Sequence, residues 1–88
     1  MRLDKFLKVS RLIKRRTVAK ELADQGRVLI NGQPGKASAA VNVGDELTLQ
    51  FGQRHTIIRI LQLKESVKKE EAESLYELIS GKEADQGV

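Results

Sequence analysis

The chain has no cysteine, no tryptophan, a single proline and only three aromatic residues, Phe6, Phe51 and Tyr76, among its 88 residues. Without cysteine, disulfides and thiolate zinc sites are excluded, which suits a reducing compartment. The scarcity of aromatic rings argues against a platform for stacking single-stranded bases. No apolar run approaches the roughly 20 residues that span a bilayer, and "MRLDKFLKVSR" lacks the apolar centre of a signal peptide. The chain is therefore expected to be cytoplasmic and unprocessed, with no membrane contact. His55 is the only histidine and has no Asp, His or Cys cluster at metal-ligand spacing. Ser10, Thr17 and Ser38 have no candidate base close in sequence, so cap or turn roles are the default. No metal, cofactor or catalytic residue is expected. A chain this short makes one domain that buries about 60% of its unfolded surface, which leaves no room for a deep catalytic cleft.

What is present is positive charge, placed unevenly. The net charge is +4, yet residues 1–20 hold eight cations (Arg2, Lys5, Lys8, Arg11, Lys14, Arg15, Arg16 and Lys20) against Asp4 alone. The two signs balance over residues 21–63, and acids exceed bases from residue 64 onward. A positive field gathered at one end of a chain is the electrostatic footprint of a phosphate-binding surface.

Hydrophobic spacing supplies the scaffold. Residues 2–12 place Leu3, Phe6, Leu7 and Ser10 on one helical stripe, with Asp4 in the first turn where a negative charge complements the helix dipole. Thr17 offers an N-cap for a second helix, whose stripe of Val18, Ala19, Leu22 and Ala23 stops at Gly26. The period then changes. "RVLINGQ" reads as a strand running into Asn31-Gly32, a dipeptide that tolerates positive φ at both turn positions, although Pro34-Gly35 extends the irregular stretch. Leu47, Leu49 and Phe51 alternate along one strand after a Gly44-Asp45 turn; Ile58 and Ile60 alternate with Ile57, Arg59 and Leu61 along another. That last strand is partly apolar on both faces, which predicts a cover on each side. The cover is expected from a third helix over residues 65–79, with Val67, Ala72, Leu75, Tyr76 and Ile79 on one side. The expected fold is α+β: two N-terminal helices packed on a small, mostly antiparallel sheet of three to five strands, plus a C-terminal helix. Its units are a domain over residues 1–63, the helix over 64–80 and a mobile tail over 81–88.

Arg15 and Arg16 fall at the entrance of the second helix, with Lys20 one turn beyond Arg16, and Lys8, Arg11 and Lys14 approach the same corner from the first helix. Cations gathered beside a helix N-terminus repel one another unless an anion completes the site, and phosphate is the obvious anion. The ordered set "RLD", "SRLIKRRTVAKELADQGRVLING", "KAS" and "VGD" resembles the RNA-binding domain named after small-subunit ribosomal protein S-four, also called the alpha-L motif, from about Met1 to Phe51.

The resemblance implies a basic surface that docks on the backbone of structured RNA. Its RNA-facing positions fall on Arg2, Arg11, Lys14, Arg15, Arg16 and Lys20, with Asp4 orienting a neighbouring arginine; Lys8 joins them from the charge pattern. A free-standing copy followed by a short helix also resembles small bacterial proteins that bind large ribosomal subunits blocked by nascent chain and tRNA. The implied partners are large-subunit rRNA and peptidyl-tRNA in the P site, with room for another quality-control protein on the same subunit, and the implied state is a monomer. The heat-shock relatives carry a longer, basic C-terminal segment, whereas this one is acidic, which favours the tRNA-stabilising role over a heat-shock role in recycling blocked subunits. About five or six phosphate contacts, each adding roughly 0.7 to 0.9 to the salt slope, would make binding collapse between low and moderate salt.

Two other classes compete. A DNA-binding helix-turn-helix regulator needs polar base readers along its recognition helix, and "TVAKELADQG" offers few. A subunit of an RNA-modifying enzyme would have to borrow its activity, because no nucleotide loop or carboxylate-lined cleft is legible here.

Overall fold

In the computed structural model, which describes residues 1–80, two helices and a short 3₁₀ helix accompany one five-stranded antiparallel sheet, so the fold is α+β as expected. Helix α1 spans Leu3–Val9 and helix α2 spans Arg16–Asp24. Strands β1 (Val28–Ile30), β2 (Gln33–Pro34), β3 (Glu46–Phe51), β4 (Arg54–Ile60) and β5 (Tyr76–Ser80) lie in the order β2-β1-β3-β4-β5. The predicted tail over residues 81–88 lies outside the described residues.

The core is a single cluster. Leu3, Phe6 and Leu7 of α1, Ala19 and Ala23 of α2, and Val28, Leu47, Leu49, Ile58 and Ile60 of the sheet are all buried, joined by Leu12 and Ile13 between the helices and by Leu75. Burial alternates along β3 and β4 as the period of 2 requires, while the opposite side of the sheet carries the half-exposed Thr48, Ile57 and Arg59. Val18 and Leu22 are half-buried at the margin of the α2 stripe.

Two of the sequence motifs brace the fold. Asn31 (φ 52°) and Gly32 (φ 85°) close a two-residue hairpin with Ile30 opposite Gln33, tighter than the Pro34-Gly35 sequence suggests. The Asn31 side chain donates to Asp45 Oδ1 at 3.1 Å and accepts from the Glu46 N–H at 3.0 Å, while Asp45 Oδ2 accepts from the Asn42 N–H at 2.8 Å. Thus "NG" and "VGD" lock to each other across β1 and β3. The "KAS" stretch holds α1: the Leu3 and Asp4 N–H groups donate to the carbonyls of Ala39 and Ala37 at 2.8 and 3.1 Å, which satisfies two donors that a helix start leaves unpaired. The buried Ala37 is small enough to permit that approach.

The C-terminal region differs from expectation. A helix is present, but it is a 3₁₀ helix over Lys69–Leu75, and residues 76–80 form β5 instead of its last turns. Ala72 and Leu75, the two buried residues of this helix, are three apart, which matches the three-residue turn of 3₁₀ geometry. After Leu75 the period of 2 prevails: Tyr76 and Leu78 face Ile60 and Ile58, and Glu77 faces Arg59. Pairing β5 with β4 also satisfies backbone groups that an edge strand would leave open. The second face of β4 is accordingly not covered by a helix, and Leu61, just past its end, is 43% exposed. Helix α2 begins two residues earlier than an N-cap at Thr17 would give, with Arg15 in the cap position and no side-chain cap bond.

Candidate nucleic-acid interface

The basic residues of the N-terminal third divide into two groups. The first is organised by Asp4, buried in the first turn of α1 with only 3% of its surface exposed. Its carboxylate accepts from Arg2 Nε at 3.2 Å, from Arg16 Nε at 3.3 Å and from the Lys5 N–H at 2.8 Å. Burial works against ionisation of this carboxyl, but hydrogen bonds and attraction from Arg16 and then Arg2 outweigh it and hold the group below its ordinary pKa. Both side chains stay about half exposed: each turns Nε and Nη2 toward Asp4 and keeps Nη1 as a donor for an outside partner. One buried acid thereby fixes two arginines from different elements in a common orientation.

The second group has no acid. Lys8, Arg11 and Lys14 surround a surface bowl of about 340 Å³ together with Lys69 from the 3₁₀ helix. Among the described residues, none of these four side chains has a hydrogen-bond or ion-pair partner. Arg11 also has a left-handed backbone (φ 62°) at the end of α1, a position that suits glycine. There its N–H donates to the Lys8 carbonyl, and the Ile13 N–H donates to that of Leu7, both at 3.1 Å. A non-glycine residue in that region costs on the order of 1 to 2 kcal/mol. Local folding would prefer glycine, and the chain has arginine.

The remaining predicted positions are more dispersed. Arg15 is exposed and lines a neighbouring depression with Ile13, Lys14 and Val18, so Lys14 adjoins both hollows. Lys20 does not join the bowl: it lines a separate depression with Thr17, Glu21, Asp24 and Gln25. Lys69 was missed by sequence reasoning because it sits in an acidic segment, and its proximity to α1 is set by tertiary packing. Lys5 forms an ion pair with Glu65, tying α1 to the segment that leads to Lys69. Among the described residues there is no group of three or more His, Cys, Asp or Glu side chains able to hold a metal, and no helix is long and apolar enough to cross a membrane.

Known proteins share this architecture. The S4 domain family model matches residues 1–47. The RQC P-site tRNA stabilizing factor of Bacillus subtilis is 61% identical over 79 residues, covering 90% of this chain and 92% of that protein. The Streptococcus pneumoniae protein of the same name is 49% identical over 88 residues, covering all of both. Among solved structures, the heat shock protein 15 of Vibrio cholerae superposes with a TM-score of 0.83 at 33% identity, covering 91% of this chain and 82% of that one. That protein was solved as a trimer, in contrast to the single-chain state expected for this protein from its sequence. The match spans the helices that carry Asp4 and its two arginines, and the relatives agree with the chain well beyond it: the chain belongs to the S4 domain family.

Proposed function

We propose that this protein is a non-enzymatic, ribosome-associated RNA-binding factor that docks its α1–α2 corner on RNA of the large subunit and stabilises P-site tRNA when a nascent chain has stalled. The observation that carries the reading is the Arg2–Asp4–Arg16 arrangement, in which a buried carboxylate pre-orients two outward-facing guanidinium groups. Guanidinium groups are suited to phosphate by their planar, forked donors, and pre-orientation lowers the ordering cost on binding. Family membership supports RNA as the ligand, and the names of the relatives support the tRNA role and a bacterial quality-control setting.

Mechanistically, the corner acts by position and charge. Arg2, Arg16 and Arg15 contact phosphates, the unpaired cations beside them add field strength, and the complex resists drift of the tRNA while the chain is extended or released. Phe51 and Tyr76 are both half-buried and Phe6 is fully buried, which favours recognition of backbone and shape over stacking on bases.

The test compares the affinity of the purified protein for large subunits with and without tRNA in the P site. Tighter binding with tRNA supports the stabilising role; equal affinity would limit the function to rRNA docking.

A further inference from the structure

The C-terminal segment lies beyond the matched family domain and carries an excess of acids, yet it delivers one cation to the basic corner. Residues 65–67 run along the end of α1: Glu65, Ser66 and Val67 share a narrow hollow of about 160 Å³ with Lys8, Val9 and Arg11. Val67 packs against the core, and Glu65 pairs with Lys5. These two attachments bring the chain to Lys69, which lines the bowl together with Lys8, Arg11 and Lys14. Glu70 and Glu71, the acids next in sequence, are not among its lining residues.

Four cations facing one hollow repel one another, and among the described residues none is neutralised. Elsewhere Arg2 and Arg16 pair with Asp4, Lys5 with Glu65, and Arg59 with both Glu46 and Glu77, while single exposed cations such as Arg15, Lys20 and Lys36 have no ion pair among the described residues. The bowl differs in gathering four cations on one hollow. Arg11, which lines the bowl, is also the one residue other than glycine and asparagine that holds a left-handed conformation among the described residues. Strain and unrelieved repulsion coincide here, and an anion from outside would relieve the repulsion.

Resting on the RNA-binding reading above, we propose that Lys8, Arg11, Lys14 and Lys69 form a seat for a backbone phosphate of the bound RNA, so that the segment outside the family domain contributes directly to binding. The seat is distinct from the pair of arginines held by Asp4. It makes Lys69 a contact residue in a segment whose net charge is negative.

The test measures binding of the whole protein to purified bacterial large ribosomal subunits across a salt series, comparing wild type with Lys69→Gln, Lys69→Arg and Lys64→Gln. Lys64 is exposed, belongs to the same segment and lies outside the bowl, so its substitution removes the same net charge. Loss of one phosphate contact lowers the salt slope by roughly 0.7 to 0.9, so between about 50 and 200 mM salt Lys69→Gln should lose about threefold less affinity than wild type. Lys69→Arg should restore the wild-type slope, and Lys64→Gln should leave it unchanged. Lys69→Gln behaving like Lys64→Gln, with wild type still binding, would overturn the seat alone. Wild type failing to bind subunits would overturn the RNA reading and the seat with it. Inorganic phosphate at constant ionic strength should weaken subunit binding more for wild type than for Lys69→Gln, and equal weakening of both would overturn the seat.

Discussion

Asp4 Oδ2 accepts a hydrogen bond from Arg16 Nε at 3.3 Å, although twelve positions separate the two residues and they belong to different helices. The contact places the first residue of α2 against the first turn of α1, so the angle between the helices and the direction of the Arg16 fork are set together. Arg2 reaches the same carboxylate from the other side at 3.2 Å. A single buried charge therefore serves both the fold and the interface.

Asp4→Asn should lower stability by roughly 1 to 2 kcal/mol, reduced from the range for hydrogen bonds to charged groups because both arginines sit half in solvent. The wild type should also show an acid-dependent loss that the variant lacks. The folded state holds Asp4 below its ordinary pKa, so the contribution is complete above about pH 5 and disappears as the pH falls through the unfolded value toward the folded one. Urea unfolding at neutral and acid pH measures both effects.

Arg11→Gly should move stability and binding in opposite directions. Glycine relieves the left-handed strain but frees the unfolded chain, for a net gain of up to about 1 kcal/mol. Affinity for large subunits should fall severalfold, since a cation leaves the bowl. Thermal melts and subunit binding on the same preparation check the two signs. A loss of both would make Arg11 a structural residue.

Leu75→Ala should cost about 2 to 5 kcal/mol, because Leu75 is fully buried and its removal leaves a cavity where the 3₁₀ helix meets β5. A domain of this size has only about 4 to 13 kcal/mol of total stability, so the variant should be marginal at 37 °C. Chemical denaturation decides the matter. A loss near zero would mean that the C-terminal segment is an appendage and not part of the cooperative core.

Much of this structure is legible in the sequence, for reasons that can be named. The stripe of Leu3, Phe6 and Leu7, the stop at Gly26, the Asn31-Gly32 turn and the alternation of Leu47 and Leu49 are local signals that tertiary packing reinforces. The C-terminal segment is harder because Ala72, Leu75, Tyr76 and Ile79 satisfy a helical stripe, while Tyr76, Glu77 and Leu78 equally satisfy alternation. The open edge of β4, invisible in the local pattern, favours the second. At the candidate site, the charge run points to the corner, and the family pattern points to Asp4 as the organiser of an arginine. The sequence conceals the division of labour: which cations are neutralised by Asp4, which are not, and that Lys69 returns to the bowl across the fold. For a probe of binding at Arg16, charge reversal by Arg16→Glu is the obvious choice from the sequence charge pattern alone. The structure shows why alanine is better, since a second carboxylate would be set against the buried Asp4.

The most direct measurement is sucrose-gradient sedimentation of gently lysed bacterial cells carrying a tagged copy, with wild type beside Arg16→Ala, followed by detection of the protein across the fractions. Wild type should sediment with the large subunit and Arg16→Ala should remain at the top of the gradient while retaining its circular dichroism spectrum. Wild type remaining at the top, or a folded Arg16→Ala protein sedimenting normally with the subunit, would contradict docking through the Arg2–Asp4–Arg16 corner.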